Sequence, residues 1–152
     1  MSPDDCRAPC IEQLLPHREP MLLLRFVREW SSDWIRCTGL IPAEGPMVIG
    51  NSASAILGIE LGAQAAAAHE SLRSRPSTDP ARGASAGYLV SIRNADFLER
   101  SIPVGVDLRV EANLVGSAGP LAMYEVSVSR EDSALLLIKA AISTMSVQSR
   151  PL

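Results

Sequence analysis

A long segment without proline, followed by four segments of alternating polarity, constrains the fold more than any other feature. The first segment, from Ser52 to Leu72, is rich in alanine and leucine and begins with several possible N-cap residues, so it predicts one long helix. Apolar residues lie on nearly all of its sides, and we therefore expect a buried helix. The later segments predict strands over Gly87–Phe97, Asp107–Val115, Ala122–Arg130 and Ala134–Val147.

These elements define the fold class. The turns between the four predicted strands are short, and short turns join antiparallel neighbours. One helix and one sheet can bury their apolar surfaces only against each other. The sequence therefore predicts an α+β domain in which a curved antiparallel β-sheet is wrapped around one long central α-helix.

The segments before the helix are shorter. Ile11–Leu15 predicts a short amphipathic turn, and the apolar run Met21–Val27 predicts a first strand that continues toward Trp30. Trp34–Leu40 alternates in polarity and predicts a second, short strand. Ile41–Gly50 contains prolines and glycines and predicts a loop.

The length of 152 residues fits a single domain. We expect a flexible N-terminal tail over residues 1–10, one domain over residues 11–147 and a C-terminal tail over residues 148–152. A loop containing proline and serine is predicted over Arg73–Gly83, between the helix and the next strand.

Composition argues against several classes of partner. A net charge of −3 and an aromatic content of 4% do not favour binding to nucleic acid or to an acidic membrane surface. The longest apolar segment, Ala53–Ala68, contains Glu60 and Gln64, so no membrane span is expected. No signal peptide is visible, and the three cysteines lack paired metal-ligand spacing. These features predict a cytoplasmic protein with reduced thiols and no metal site.

His17 is the first candidate for chemistry. It lies between Pro16 and Pro20, directly before the first predicted strand, and the two prolines restrict the backbone on both sides of it. An imidazole whose unperturbed pKa is near 6.5 suits proton transfer at neutral pH. The alternative is an ordinary histidine in a surface loop.

Glu60 is the second candidate, because a carboxylate within an apolar helix pays a desolvation cost unless a partner or cavity offsets it. Desolvation predicts a raised pKa and a protonated acid near neutrality. Gln64 lies four residues further on the same helix face and could orient Glu60. Gly58 and Gly62 lie four residues apart and have no side chains, so a strand, a second helix or a slender ligand can approach the helix backbone on that side. The alternative for Glu60 is a carboxylate at the helix end or one paired with an arginine.

Other polar residues are weaker candidates. His69, near the helix end, is expected to be structural or to face solvent. Cys37 has no histidine nearby in sequence, so a nucleophilic role is not expected. Arg73, Arg75 and Arg82 cluster after the helix and could contact an acidic partner, although a solvated loop is the ordinary explanation.

Two motifs resemble a known family. Leu15-Pro16-His17-Arg18-Glu19-Pro20-Met21-Leu22-Leu23 is similar to a motif of the 3-hydroxyacyl-(acyl carrier protein) dehydratases, and Ile59-Glu60-Leu61-Gly62-Ala63-Gln64-Ala65 is similar to the motif of their central helix. The segment Tyr88–Phe97 with Pro103-Val104-Gly105 fits their third strand and its turn. The resemblance extends from Ile11 to Met145 and is strongest for the subgroup associated with aryl-polyene pigment gene clusters. It implies the fold that this family calls a hotdog.

The resemblance also implies a mechanism. His17 would remove the α-carbon proton of a 3-hydroxyacyl thioester, and Glu60 would protonate the departing 3-hydroxyl, which gives a trans-2-enoyl thioester and water. In the family these residues face each other across a dimer interface, so a homodimer, a higher homo-oligomer or a heterodimer is implied. Backbone N–H groups around Ser54 and Ala55 would polarise the thioester carbonyl, and Gln64 and Arg18 would support the site. The substrate would arrive on the phosphopantetheine arm of acyl carrier protein, with no further cofactor and no metal.

This chain departs from the family at a few positions. Ala55 replaces a glycine, Arg25-Phe26 replaces an Asp-Arg pair, and Ser91 stands where glycine is common. Together they indicate a shifted substrate or a weakened active site. Two alternatives therefore stay open: an acyl-thioester hydrolase on the same fold, in which Glu60 activates water or attacks the thioester, and a degenerate subunit that binds acyl carrier protein or completes a heterodimer.

Overall fold

The computed structural model describes residues 9–74 and 86–147. Two helices and nine strands follow one another along the described chain. They are α1 (Ile11–Leu14), β1 (Leu24–Trp30), β2 (Trp34–Gly39), β3 (Val48–Ile49), β4 (Ser52–Ser54), α2 (Leu57–Ser74), β5 (Ala86–Phe97), β6 (Ser101–Pro103), β7 (Leu108–Ala118), β8 (Leu121–Arg130) and β9 (Leu136–Val147). The predicted N-terminal tail up to Ala8, most of the loop after α2 and the C-terminal tail lie outside the described residues.

The strands form a large and a small sheet. Six strands pair in the order β1-β2-β7-β8-β9-β5, and three short strands pair in the order β3-β4-β6. Every pair of neighbours is antiparallel. The predicted α+β class and the curved antiparallel sheet around one helix are therefore confirmed.

Helix α2 is buried against the large sheet, as its all-round apolar sequence predicted. Two glycines allow the close approach. A Cβ atom at Gly58 would lie 2.6 Å from Ile138 Cγ2 on β9, and one at Gly62 would lie 2.5 Å from Val126 Cγ2 on β8. Such distances are shorter than ordinary carbon contacts, so the glycines let the strands pack directly on the helix backbone.

The start of α2 differs from the prediction. Ser52–Ser54, predicted as the first helical residues, form β4, and the helix begins at Leu57. Ala53 pairs with Ile102 on β6, and this strand pairing outweighs the local preference for a cap. The predicted loop over Ile41–Gly50 contains β3 for the same reason, because β3 completes the small sheet.

Strand β1 begins at Leu24 and not at Met21. The cause is the side chain of Gln64 on α2, which forms hydrogen bonds with the backbone of Met21 and Leu23. These backbone groups are therefore bonded to the helix side chain, and pairing with β2 starts only after them. The last strand, β9, begins at Leu136 and not at Ala134, because Ala134 has φ 56° and donates its N–H to Arg130 O in a turn.

No helix within the described residues is long and apolar enough to cross a membrane.

Candidate active site

The loop that carries His17 is held by its neighbour. Arg18 Nη1 donates hydrogen bonds to Leu15 O at 2.9 Å and to His17 O at 2.7 Å. The backbone N–H groups of Met21 and Leu22 then donate back to Arg18 O. Arg18 therefore fixes the backbone of the loop that carries His17.

Gln64 connects this loop to the central helix. Its Oε1 accepts the N–H groups of Leu23 at 3.0 Å and Leu24 at 3.3 Å. Its Nε2 donates to Met21 O at 2.7 Å and to Glu60 Oε1 at 2.9 Å. The side chain is only 1% exposed. Gln64 and Glu60 are thus hydrogen-bonded, as their four-residue spacing predicted, and the same amide also bonds the segment that leads into β1.

His17 and Glu60 meet within one chain. His17 Nε2 lies 3.3 Å from Glu60 Oε1, and both side chains are about one-third exposed. The expectation that these residues face each other across a dimer interface is therefore wrong for this chain. The physical cause is the bracing by Gln64, which brings the end of the His17 loop onto the helix turn that carries Glu60.

The electrostatics of Glu60 also differ from the expectation. The hydrogen bond from His17 lowers the pKa of the Glu60 carboxyl and outweighs the desolvation that raises it, and the hydrogen bond from Gln64 lowers it further. The predicted rise of this pKa is therefore wrong. The ionised Glu60 carboxylate accepts a hydrogen bond from His17 Nε2. The other ring nitrogen, His17 Nδ1, is buried and has no hydrogen-bond partner among the described residues.

A cleft of about 60 Å³ opens beside this pair. It is lined by His17, Glu60, Ala63, Gln64, Ala67, Leu89 and Thr144. The helical residues are spaced i, i+3, i+4 and i+7 and thus form one face of α2. The arrangement places an imidazole and a carboxyl group side by side at a small cleft with both polar and apolar walls, where a proton can be removed from one atom of a ligand and delivered to another.

Sequence reasoning did not identify Thr144. It belongs to the inward-facing row of β9, where Ile138, Ala140 and Ile142 are buried and apolar. The only sequence signal for Thr144 is that a polar residue follows several apolar residues in the alternating pattern of this strand. That signal is weak, because threonine is also a common strand residue.

The N–H groups predicted to polarise a carbonyl are only partly available. Ser54 N–H donates to Met47 O at 2.9 Å, so its predicted role as a donor is wrong. The cause is that Ser54 belongs to β4 and not to the helix. Ala55 is buried directly before the first turn, and Gly58 N–H donates to its carbonyl at 2.9 Å. Ala55 and Leu57 are the residues at the true start of α2.

The weaker candidates lie away from the cleft. His69 is fully buried, with Nε2 2.8 Å from Ser31 O and Nδ1 2.8 Å from Tyr124 Oη, so the solvent-facing alternative is wrong and a structural role is confirmed. Burial lowers the pKa of its imidazole. Burial also raises the pKa of the Cys37 thiol to about 12, which leaves it unreactive. Arg73 donates to Glu70, whereas Arg75 and Arg82 lie outside the described residues.

The departures from the family pattern have simple structural settings. Arg25 forms an ion pair with Glu19, and Phe26 is exposed on β1. Ser91 lies on β5 next to an irregularity in its pairing with β9. None of these three residues lines the cleft.

Within residues 9–74 and 86–147, no three His, Cys, Asp or Glu side chains come together as a metal site.

Comparison with known sequences decides the family. The family described as ApeP-like, ApeP dehydratase, matches residues 9–150, which is nearly the whole chain. The chain belongs to the ApeP dehydratase family. It is accordingly a dehydratase, and the resemblance to dehydratases of aryl-polyene clusters is confirmed. No curated protein matches the chain in sequence.

Solved structures agree on the fold of this ApeP-family chain. The dehydratase heterocomplex ApeI:P from Xenorhabdus doucetiae superposes with a TM-score of 0.77 at 22% identity, over 94% of each chain. The PaaI protein of the E. coli phenylacetic acid degradation operon gives a TM-score of 0.60 at 14% identity, over 81% of this chain and 79% of that one. A hypothetical thioesterase with coenzyme A from Streptococcus pneumoniae gives 0.59 at 10% identity, over 82% and 87%. The hotdog fold is confirmed.

Proposed function

We propose that this dehydratase converts 3-hydroxyacyl thioesters on acyl carrier protein into trans-2-enoyl thioesters and water, in fatty-acid or polyene-type biosynthesis. One observation carries the proposal: His17 Nε2 lies 3.3 Å from Glu60 Oε1 at the edge of a cleft. A base and an acid at this separation can act on neighbouring carbon atoms of one substrate.

The protons of the reaction balance within this pair. The Cα–H and C3–O bonds break, a carbon–carbon double bond forms, and the hydroxyl leaves as water after it gains one proton. His17 takes the Cα proton at an unprotonated Nε2, and Glu60 gives its proton to the hydroxyl. The product state is then a protonated His17 beside an ionised Glu60. A proton that returns from Nε2 to Oε1 restores the starting state.

Substrate binding favours that return. In the free site the Glu60 carboxyl pKa is lowered, so this carboxyl group is ionised near neutral pH. A bound acyl chain removes water from the cleft and raises the energy of the ionised carboxylate, so the proton moves to Glu60. Gln64 keeps the accepting oxygen in position throughout, because its amide is fixed to Met21 and Leu23.

A partner subunit is part of the proposal. Strand β5 is at the edge of the large sheet, and its residue Leu89 lines the cleft. Leu89, Val90 and Ile92 are exposed apolar residues on this edge. A second hotdog chain that adds a strand here would cover them and close the cleft. The partner is either another copy or a different dehydratase subunit, and the two-subunit assembly of the Xenorhabdus doucetiae proteins supports the second.

The thioester reaches the cleft on the phosphopantetheine arm of acyl carrier protein, and no further cofactor takes part. The chemistry moves only protons, which the chain's own side chains can hold. The compartment proposed for this activity is the cytoplasm, since Cys10 and Cys37 form no disulfide within residues 9–74 and 86–147.

Mass spectrometry tests the proposal directly. A 3-hydroxyacyl carrier protein, or a shorter pantetheine thioester, is incubated with the purified protein in its native assembly. We expect a loss of about 18 Da, the mass of one water, and no loss with His17→Ala or Glu60→Gln. A wild-type protein that leaves the 3-hydroxyacyl thioester unchanged at all chain lengths would refute the substrate assignment.

The second candidate, an acyl-thioester hydrolase, is favoured by the structural likeness to thioesterases. The same variants separate the two functions. A hydrolase would release free acid, and it would lose activity with Glu60→Gln while His17→Ala stayed active. A degenerate binding subunit would bind the carrier protein and change no thioester in any of the three forms.

A further inference from the structure

Thr144 is a buried hydroxyl in an apolar row. On β9 it pairs with Leu89 of the edge strand β5 on one side and with Ala122 of β8 on the other. It is only 4% exposed and follows Ala140 and Ile142 along the inner face of the sheet. The buried positions that precede it in this row, Ile138, Ala140 and Ile142, all carry apolar side chains.

The hydroxyl of Thr144 has no hydrogen-bond partner among the described residues. An unpaired buried hydroxyl destabilises a fold, and valine has nearly the same shape without that cost. Packing alone therefore favours valine at this position. A bound molecule that forms a hydrogen bond with the Thr144 hydroxyl would account for a threonine at this position.

The cleft shows what that molecule can reach. Of the lining residues, Ala63, Ala67 and Leu89 are apolar. Gln64 already uses both amide hydrogens and its oxygen in hydrogen bonds within the chain. Apart from the proton-transfer pair, Thr144 is therefore the polar side chain of this lining that is free to bind a ligand.

We propose that Thr144 Oγ1 binds the 3-hydroxyl of the substrate, holds it for protonation by Glu60 and selects the configuration at C3. This inference rests on the proposed function. The substrate has two oxygens that a hydroxyl group could bind, the 3-hydroxyl and the thioester carbonyl. The cleft extends from Glu60 along the face that carries Ala63 and Ala67, away from the start of α2 at Leu57. A carbonyl bound at the start of the helix leaves the 3-hydroxyl on the side of Thr144, and threonine can both donate to and accept from it.

Three thioesters with the same acyl length test this assignment: 3-hydroxyacyl-, trans-2-enoyl- and saturated acyl-pantetheine. Their dissociation constants are measured in the native assembly on a His17→Ala background, which does not convert the ligands, with Thr144 intact, with Thr144→Val and with Thr144→Ser. We expect Thr144→Val to weaken the 3-hydroxyacyl ligand about tenfold, the effect of one hydrogen bond, and to leave the other two unchanged. Thr144→Ser restores the hydroxyl and the affinity. The preference in kcat/KM between the two 3-hydroxy enantiomers falls by a similar factor in the valine variant.

The outcomes separate the two oxygens and the two proposals. Equal weakening of all three ligands would assign Thr144 to the thioester carbonyl and overturn its assignment to the 3-hydroxyl. Unchanged binding and unchanged enantiomer preference would overturn any substrate contact of Thr144. If the wild-type protein neither binds nor dehydrates the 3-hydroxyacyl ligand, the proposed function fails and this inference fails with it. If wild type dehydrates it and Thr144→Val does so equally well, only this inference fails.

Discussion

Replacement of Gln64 by leucine removes every hydrogen bond of this amide, both to the start of β1 and to Glu60, and its effect on stability can be estimated. Leucine fills a similar volume and suits a helix, so the change leaves little cavity and little propensity cost. It does leave Met21 O and the N–H of Leu23 without their bonds of 2.7 and 3.0 Å, and it removes the weaker bond from Leu24. The N–H groups of Leu23 and Leu24 are buried, whereas Met21 O is only partly so, and each buried group left unpaired costs about 1–3 kcal/mol. We therefore expect Gln64→Leu to lower the free energy of unfolding by about 3 kcal/mol.

Urea denaturation followed by circular dichroism measures this change. A loss of about 3 kcal/mol corresponds to a fall in Tm of about 6–12 °C for a domain of this size. Thr144→Val is the matched control, because it removes a buried polar group that has no partner within the described chain; its stability should equal or exceed that of wild type. A Gln64→Leu protein within about 0.5 kcal/mol of wild type would refute the view that Gln64 holds the start of β1.

Three further outcomes are expected. In a mixture of His17→Ala and Glu60→Gln chains, activity stays absent because both groups belong to one chain; sites shared across an interface would instead recover about a quarter of wild-type activity. Dehydration needs one proton in total on the His17–Glu60 pair, so a second proton on the Glu60 carboxylate stops the reaction. Because the bond from His17 lowers the pKa of this carboxyl, the acid limb of kcat/KM should lie below the ordinary value of 4.5, and an acid limb centred well above that value would contradict this assignment. Gly62→Ala lowers stability to urea by about 1–3 kcal/mol through its clash with Val126, whereas Gly45→Ala, with open space at its Cβ, leaves it unchanged.

The large elements were predictable because each has a clear period. The apolar run of α2 and the alternation of β5, β7, β8 and β9 extend over many residues, and their ends were correct to within a few positions. The short strands of the small sheet were not predictable, since β3 and β4 are too short to show a period. Ser52–Ser54 suits a helix cap and a strand equally, and only pairing with β6 decides between them.

The site was predictable in its residues but not in its geometry. The local sequence around His17 and Glu60 singled out both residues as candidates, and the four-residue spacing predicted the contact between Glu60 and Gln64. That His17 and Glu60 meet in one chain depends on bonds from Gln64 to a segment far away in sequence. The sign of the Glu60 pKa shift follows from that same contact, so it could not be derived from the apolar character of the helix alone. The position of Thr144 likewise depends on the order of strands.

The location of both proposed proton-transfer groups in one polypeptide has an evolutionary consequence. When a catalytic pair is divided between two chains, each gene must preserve its own half, and a mutation in either one removes the activity. Here one chain carries both His17 and Glu60. Selection on an associated subunit would then act on its shape and its contact with the edge strand β5, not on residues of its own that transfer protons. Such a subunit could lose those residues, or acquire a different use for its own cleft, without loss of dehydration by this chain.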